Sequence, residues 1–322
     1  MDELYAISTT TITSILKLSL ETNARLEMSK PSTMSRLIPI WILIITALAG
    51  CSSTSLVYNN ADWLIRSKID DYFPLSGRQQ RQLKRDIKTF FEWHRQQELV
   101  EYSDVLTQFN QQFADGLTLQ ELDLFLDKLS AARVRFAKAS LQSASLFLST
   151  VTIEQIDYFD QDFTEKQTEK AESLNLSSQE YMDESYINFV DKLEDWFGDF
   201  DDSQLTRLRA ISDIRPDKRQ YWFDQSELRH QRFSILLRRK PGREEIEQYL
   251  LNRFIVLNQD DEQARDIRLQ GQTYWRNAML GIDKIITTRQ RKKMIREIAD
   301  YASDFAALSK QSNKPFRSNL EK

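Results

Sequence analysis

One cysteine in 322 residues rules out an internal disulfide framework and any cysteine-cluster metal site. Two histidines leave no H-E-x-x-H or H-x-x-x-H pair, so the usual zinc-helix signatures are missing as well. Seven glycines and six prolines are few for this length, which disfavours a sandwich or barrel built on tight turns and favours long helices. G-x-S-x-G, a P-loop and G-x-G-x-x-G are all absent. The net charge of -4 gives no global electrostatic reason to seek nucleic acid, so no nucleic-acid partner is expected. Charged residues make up 29% and hydrophobic ones 41%, the balance of a folded domain, neither a disordered tail nor a multi-span membrane protein.

What is present begins at Met34. Arg36 supplies a basic start, Leu37 to Leu48 form a nearly unbroken apolar run, and small residues Ala49 and Gly50 precede Cys51. That run falls short of the about 20 residues a permanent span requires. It suits the h-region of a cleaved export signal. Leu48-Ala49-Gly50-Cys51 resembles the lipobox of bacterial lipoproteins, in which the cysteine thiol takes a diacylglyceryl group and the new amino terminus is acylated. The resemblance implies cleavage after Gly50 and a covalent lipid on Cys51; no other cofactor is expected. Several acyl chains hold a protein stably where one would be marginal. Ser52 follows the cysteine, and the absence of Asp there implies sorting to the outer membrane.

These features divide the chain. Residues 1–33 read as a gene-model extension ahead of a start at Met34, 34–50 as signal peptide and 51–55 as a short tether. Residues 56–308 read as one helical domain and 309–322 as a flexible tail. So short a tether places the domain close to the bilayer.

The domain reads as helix after helix. Apolar residues recur at spacings of three and four: Leu83, Ile87, Phe90/Phe91, then Tyr102, Leu106, Phe109 and Phe113. Ile246, Tyr249/Leu250, Phe254 and Leu257 repeat it, as do Met294, Ile298, Tyr301/Ala302 and Phe305. No segment alternates like a strand. Helix starts carry the S/T-x-x-E/Q capping box at Ser76/Gln79, Thr118/Glu121, Thr152/Gln155, Ser177/Glu180 and Thr287/Gln290, with Asp201/Gln204 as a variant. Pro216 and Pro241-Gly242 mark two further starts. The expected architecture is all-α, an irregular multi-helix bundle or an array of helical hairpins, without a repeat consensus strong enough for a solenoid.

Candidates for chemistry are few. His94, in Glu92-Trp93-His94-Arg95, is the more interesting histidine because a carboxylate can meet it across a helix interface; His230 has no recognisable partner in sequence. Both are expected to be partly buried helix residues. The acidic stretch Glu194–Asp202, aligned as a calcium loop from Asp199, puts Gln204 where Gly belongs and Ala210 where the bidentate Glu belongs. Asn258-Asp260-Glu262 fails in the same way. These read as a helix connection and a helix start, and no metal site is expected. Basic stretches at Arg78–Arg85, Arg238–Lys240 and Arg289–Arg296 read as solvated helix faces, with anionic headgroups as the alternative contact.

Tyr58-Asn59-Asn60-Ala61-Asp62-Trp63-Leu64, Leu75 to Gln79, and Trp93-His94-Arg95 with Glu98-Leu99 and Tyr102 resemble an uncharacterised family of proteobacterial helical lipoproteins, a domain-of-unknown-function group. The resemblance implies a Gram-negative envelope location and no established activity. It singles out Trp63, Trp93, His94 and Arg95 as a candidate cluster for packing or for a partner surface. The L-T/S-x-x-Q letters at Leu75/Ser76/Gln79 and Val151/Thr152/Gln155 are also similar to motifs of helical periplasmic stress chaperones, although a capping box explains them unaided. The resulting expectation is a non-enzymatic, lipid-anchored envelope protein whose partners are the membrane and an envelope protein. A chaperone-like envelope-stress protein and a hydrolase of envelope polymers are the alternatives.

Overall fold

The computed structural model describes residues 53–256 and 262–311, and these are all-α, with no strand among them. In chain order the helices are α1 (Ser53–Asn59), α2 (Ala61–Tyr72) and α3 (Gly77–Trp93), a π-turn (His94–Glu98), then α4 (Leu99–Phe113), α5 (Leu119–Leu148) and α6 (Ile153–Leu174). There follow α7 (Ser178–Phe197), α8 (Asp202–Asp213), α9 (Arg219–Arg238), α10 (Arg243–Leu251), a second π-turn (Asn252–Val256), α11 (Glu262–Asp283) and α12 (Thr288–Lys310).

All six capping boxes form as the local sequence dictates. In each, the first side chain accepts from the N3 amide and the Glu or Gln reaches back to the N-cap amide, satisfying two donors that a helix start leaves free. The acidic stretch before Asp202 is the expected connection: Gly198 ends α7 at φ +79, a left-handed backbone that favours glycine, and Asp201 caps α8.

Four of these boxes do more. Gln79 and Gln155 face each other in the interior, each amide donating to the other's oxygen at 3.1 and 3.0 Å. Gln79 Nε2 also donates to the Thr150 carbonyl and Gln155 Nε2 to the Pro74 carbonyl. Gln204 and Gln290 repeat the arrangement, at 2.8 and 3.3 Å, with the Ile285 and Asp199 carbonyls as the outer acceptors. In both pairs the outer acceptor lies two residues before the partner's N-cap. Each pair thus bolts together the corners of two helical hairpins: α2–α3 to α5–α6, and α7–α8 to α11–α12.

Around each bolt lies an apolar core. One gathers Phe73, Leu83, Ile87, Phe147, Val151, Ile156 and Leu237. The other gathers Phe109, Phe113, Phe189, Val190, Phe197, Phe200, Leu208, Ile282, Ile285 and Ile298. The helical run α3–π–α4 and its antiparallel neighbour α5 reach from one core to the other.

Two boundaries differ from the sequence reading. The expected tether 51–55 is helical from Ser53, because buried Thr54 and the rest of α1 dock on the fold, an effect that Ser/Thr composition does not carry. Helix α12 continues to Lys310, beyond the expected limit at 308, with buried Leu308 holding its last turn. Residues 1–52, including Leu48, Ala49, Gly50 and Cys51, lie outside the described residues, as do 257–261 and most of the expected tail.

Candidate functional site

Midway between the cores, the π-turn closes with the Leu99 amide donating to the His94 carbonyl, five residues back. The widened turn brings residues four and five apart onto one face, and His94, Arg95, Glu98 and Leu99 are all buried. Single π-turns inside helices are frequent at functional positions, which makes this the first place to look for chemistry.

Each buried polar group there is held by another part of the chain. Glu98, with its side chain 3% exposed, takes both the Nε and Nη2 of Arg135 on α5, at 2.7 and 3.0 Å. Such bidentate pairing is what allows a carboxylate to stay charged indoors. The Arg95 guanidinium donates to the Leu308 carbonyl at 3.1 Å and to Asn59 Oδ1 at 3.0 Å, and lies 4.9 Å from the Tyr58 ring centre. The Tyr58 hydroxyl meets His94 Nδ1 at 2.9 Å. The turn therefore ties α1, α5 and the end of α12 to the long helix.

Aromatic rings from Tyr58, Phe90, Phe91, Trp93, Tyr102 and Phe136 surround the imidazole. Burial pushes the His94 pKa down to about 4; Glu98 opposes this and Arg95 adds to it. Burial pushes the Tyr58 hydroxyl well above its usual value, against the Arg95 charge. Tyr102 is raised too, by burial and then by neighbouring Glu98. At neutral pH the cluster thus holds an uncharged imidazole, un-ionised phenols and a matched ion pair. These contacts fasten the π-turn to α1, α5 and the end of α12.

The structure brings together three of the four residues singled out in sequence. His94 and Arg95 are buried in the cluster, and Trp93 borders it, donating from Nε1 to Gln97. Trp63 does not join the rings around His94; it stands on α2 with 58% of its surface exposed. The expected carboxylate across an interface from His94 is a tyrosine hydroxyl instead.

The histidine with a carboxylate is His230 and not His94. Its Nε2 is 2.8 Å from Asp160 Oδ1, and its ring stacks on Phe163 at 3.7 Å. Ser234 Oγ donates to Asp160 Oδ2 at 2.8 Å, and Arg238 reaches both Asp157 and Asp160. Burial pulls the His230 pKa down while Asp160 opposes it. The order is wrong for a catalytic triad: the serine bonds to the aspartate, where a nucleophile would bond to the imidazole. The sequence held one usable signal, since His230, Ser234 and Arg238 recur at i, i+4, i+8 on one helix face.

Internal contacts also absorb parts of the basic stretches. Arg238 pairs with Asp157 and Asp160, Arg239 with Glu245, and Arg291 with Asp283 and the Phe113 carbonyl; Lys293 donates to the Glu194 and Asp195 carbonyls. Among the described residues no group of three or more His, Cys, Asp or Glu is placed to hold a metal ion, and no helix is long and apolar enough to cross a membrane.

No curated protein and no solved structure matches the chain. A family model does, over residues 71–279, a span that takes in the π-turn, the Gln79–Gln155 pair and the His230 cluster, and that begins after Trp63. The chain belongs to this family, a family of unknown function (DUF6279).

Proposed function

We propose that the chain is a lipid-anchored protein of the Gram-negative cell envelope, held in the outer membrane by acyl groups on Cys51 and facing the periplasm. In this reading it works by contact with a protein or another envelope component, without catalysis, cofactor or nucleic acid. The observation that carries it is a sequence feature read beside the fold. Leu48-Ala49-Gly50-Cys51 closes a signal-like segment, and two residues after that cysteine begins a helix that partly buried polar bonds fasten to the body. A lipid at Cys51 is thereby coupled to the whole domain through α1. The neutral, enclosed His94 and the internally matched Glu98 give the hydrolase alternative no support.

Mass spectrometry of the mature protein, with membrane fractionation of Cys51→Ala, tests the anchor. The expected result is an amino-terminal cysteine carrying acyl mass, and a variant that leaves the membrane fraction. An unmodified amino terminus, or fractionation unchanged in the variant, sinks the reading.

One observation favours the chaperone-like alternative as a second reading. Ile187 on α7 and Leu269 and Trp275 on α11 are exposed, and the Phe189 and Trp275 rings bring these two helices together. A large contiguous apolar patch on a folded domain marks interaction, whereas single exposed apolar residues do not. Suppression of client aggregation by the intact protein, weakened in an Ile187→Ser, Leu269→Ser double variant, supports this second reading; no suppression by the wild type ends it.

A further inference from the structure

We propose that α1 and α2 lie along the membrane surface, with Leu56 and Trp63 seated in its interfacial layer. This rests on the lipid at Cys51. Reach comes first: two residues of chain span at most about 7 Å, so the start of α1 at Ser53 cannot leave the neighbourhood of the headgroups. The headgroup layer of one leaflet is itself only about 5–7 Å deep.

Direction comes second. Asn60 joins the two helices, its carbonyl accepting from the Trp63 and Leu64 amides. At ~1.5 Å per residue, Trp63 is roughly 15 Å along this path from Ser53. With the helices upright Trp63 would stand clear of the headgroups. With the helices lying flat it shares their depth with Leu56.

The exposed face decides between these. Leu56 and Trp63 are seven residues apart, two turns, and are 59% and 58% exposed, with exposed Ser67 one turn further on. The opposite face is committed inward: Thr54 and Ala61 are buried, and Tyr58 is bonded to His94. Asn59, bonded to Arg95 and Gln311, stops α1 from swinging on its lipid. A pinned helix beside an acylated residue, showing outward a leucine and an indole, matches an interfacial surface, where tryptophan is favoured because its ring is apolar and its N–H stays wet.

The test uses the full acylated protein in vesicles of phosphatidylethanolamine and phosphatidylglycerol with brominated acyl chains, which quench nearby indoles. Mass spectrometry of the same sample reports the acyl groups. The expected result is a loss of wild-type emission that disappears in Trp63→Phe and persists in Trp275→Phe. Quenching of acylated protein that is the same in wild type and Trp63→Phe overturns the flat orientation while leaving the anchor intact, and assigns this face to solvent or to a protein. Absence of acyl mass on Cys51 overturns the anchor, and the orientation falls with it. Trp63 is largely exposed, so Trp63→Phe is expected to keep wild-type circular dichroism.

Discussion

Among single residues, Glu98 carries the largest consequence, because its carboxylate is dry and its partner is not: the Arg135 side chain is 38% exposed against 3% for Glu98. Removing the arginine leaves a charge indoors with only the Tyr102 hydroxyl beside it, whereas removing both groups does not. Arg135→Ala is expected to lose about 3 kcal/mol in urea denaturation, and Glu98→Leu with Arg135→Leu to recover most of it. A single variant within about 0.5 kcal/mol of wild type would show that water already reaches Glu98. His94 acts through pH. Its folded pKa of about 4 lies below the ~6.5 of an unfolded histidine, so between these values the unfolded chain binds more protons. The His94 contribution is complete above about pH 6.5, declines as pH falls toward 4, and amounts to about 3 kcal/mol in all. His230 is shifted in the same direction and keeps part of the acid sensitivity. In His94→Gln, stability followed by urea denaturation is therefore expected to fall less steeply between pH 6.5 and 4 than in wild type. Equal slopes would mean that the imidazole charges without opening its aromatic cage.

At the scale of elements, a choice of letter separates two kinds of helix start. Boxes closed by Glu, at Glu121 and Glu180, sit at the surface; boxes closed by Gln, at 79, 155, 204 and 290, are buried and paired. A glutamine can accept from its own N-cap amide and still donate across the interface, which a carboxylate cannot do. Gln79→Glu preserves the local box but sets an oxygen against the Thr150 carbonyl and Gln155 Oε1, now without a proton to share. It is expected to destabilise the fold by about 2–4 kcal/mol, while Glu121→Gln stays within about 0.5 kcal/mol. Similar thermal shifts for the two would remove any special role for the pairs. Here the limit of sequence reading is physical. A capping box spans four residues and is legible directly. The pairing of Gln79 with Gln155 joins residues 76 apart, and that of Gln204 with Gln290 residues 86 apart. The meeting of Asp160 with Ser234 and His230 depends likewise on how α6 lies against α9. His94 and Arg95 stood out in the sequence, but the π-turn that faces them inward left no local mark in it.

For the whole molecule, the spacing of the two cores along shared helices matters most. Ile87 and Phe109 lie in different cores on the run α3–π–α4, and Phe125 and Phe147 are equally far apart on α5. At ~1.5 Å per residue both separations are roughly 33 Å, several side chains beyond direct contact. Each core has its own glutamine bolt, and between them lies the polar knot of His94, Arg95, Glu98 and Arg135, to which α1 is also tied. The proposed lipid therefore joins the fold at its waist, with one core on either side. Cooperativity between the cores passes through α3–π–α4, α5 and α12 and through a few polar bonds, each worth only about 1–3 kcal/mol. A defect confined to one core should then be felt mainly there. Leu208 is fully buried in the core of α4, α7, α8, α11 and α12, and Leu208→Ala is expected to cost about 2–5 kcal/mol. Hydrogen exchange followed by mass spectrometry should show the variant losing protection in α7, α8 and α12 while α2, α6 and the first half of α3 keep wild-type rates. Uniform loss along the chain would mean that the waist transmits the full stability of the fold, and that the domain opens as one unit.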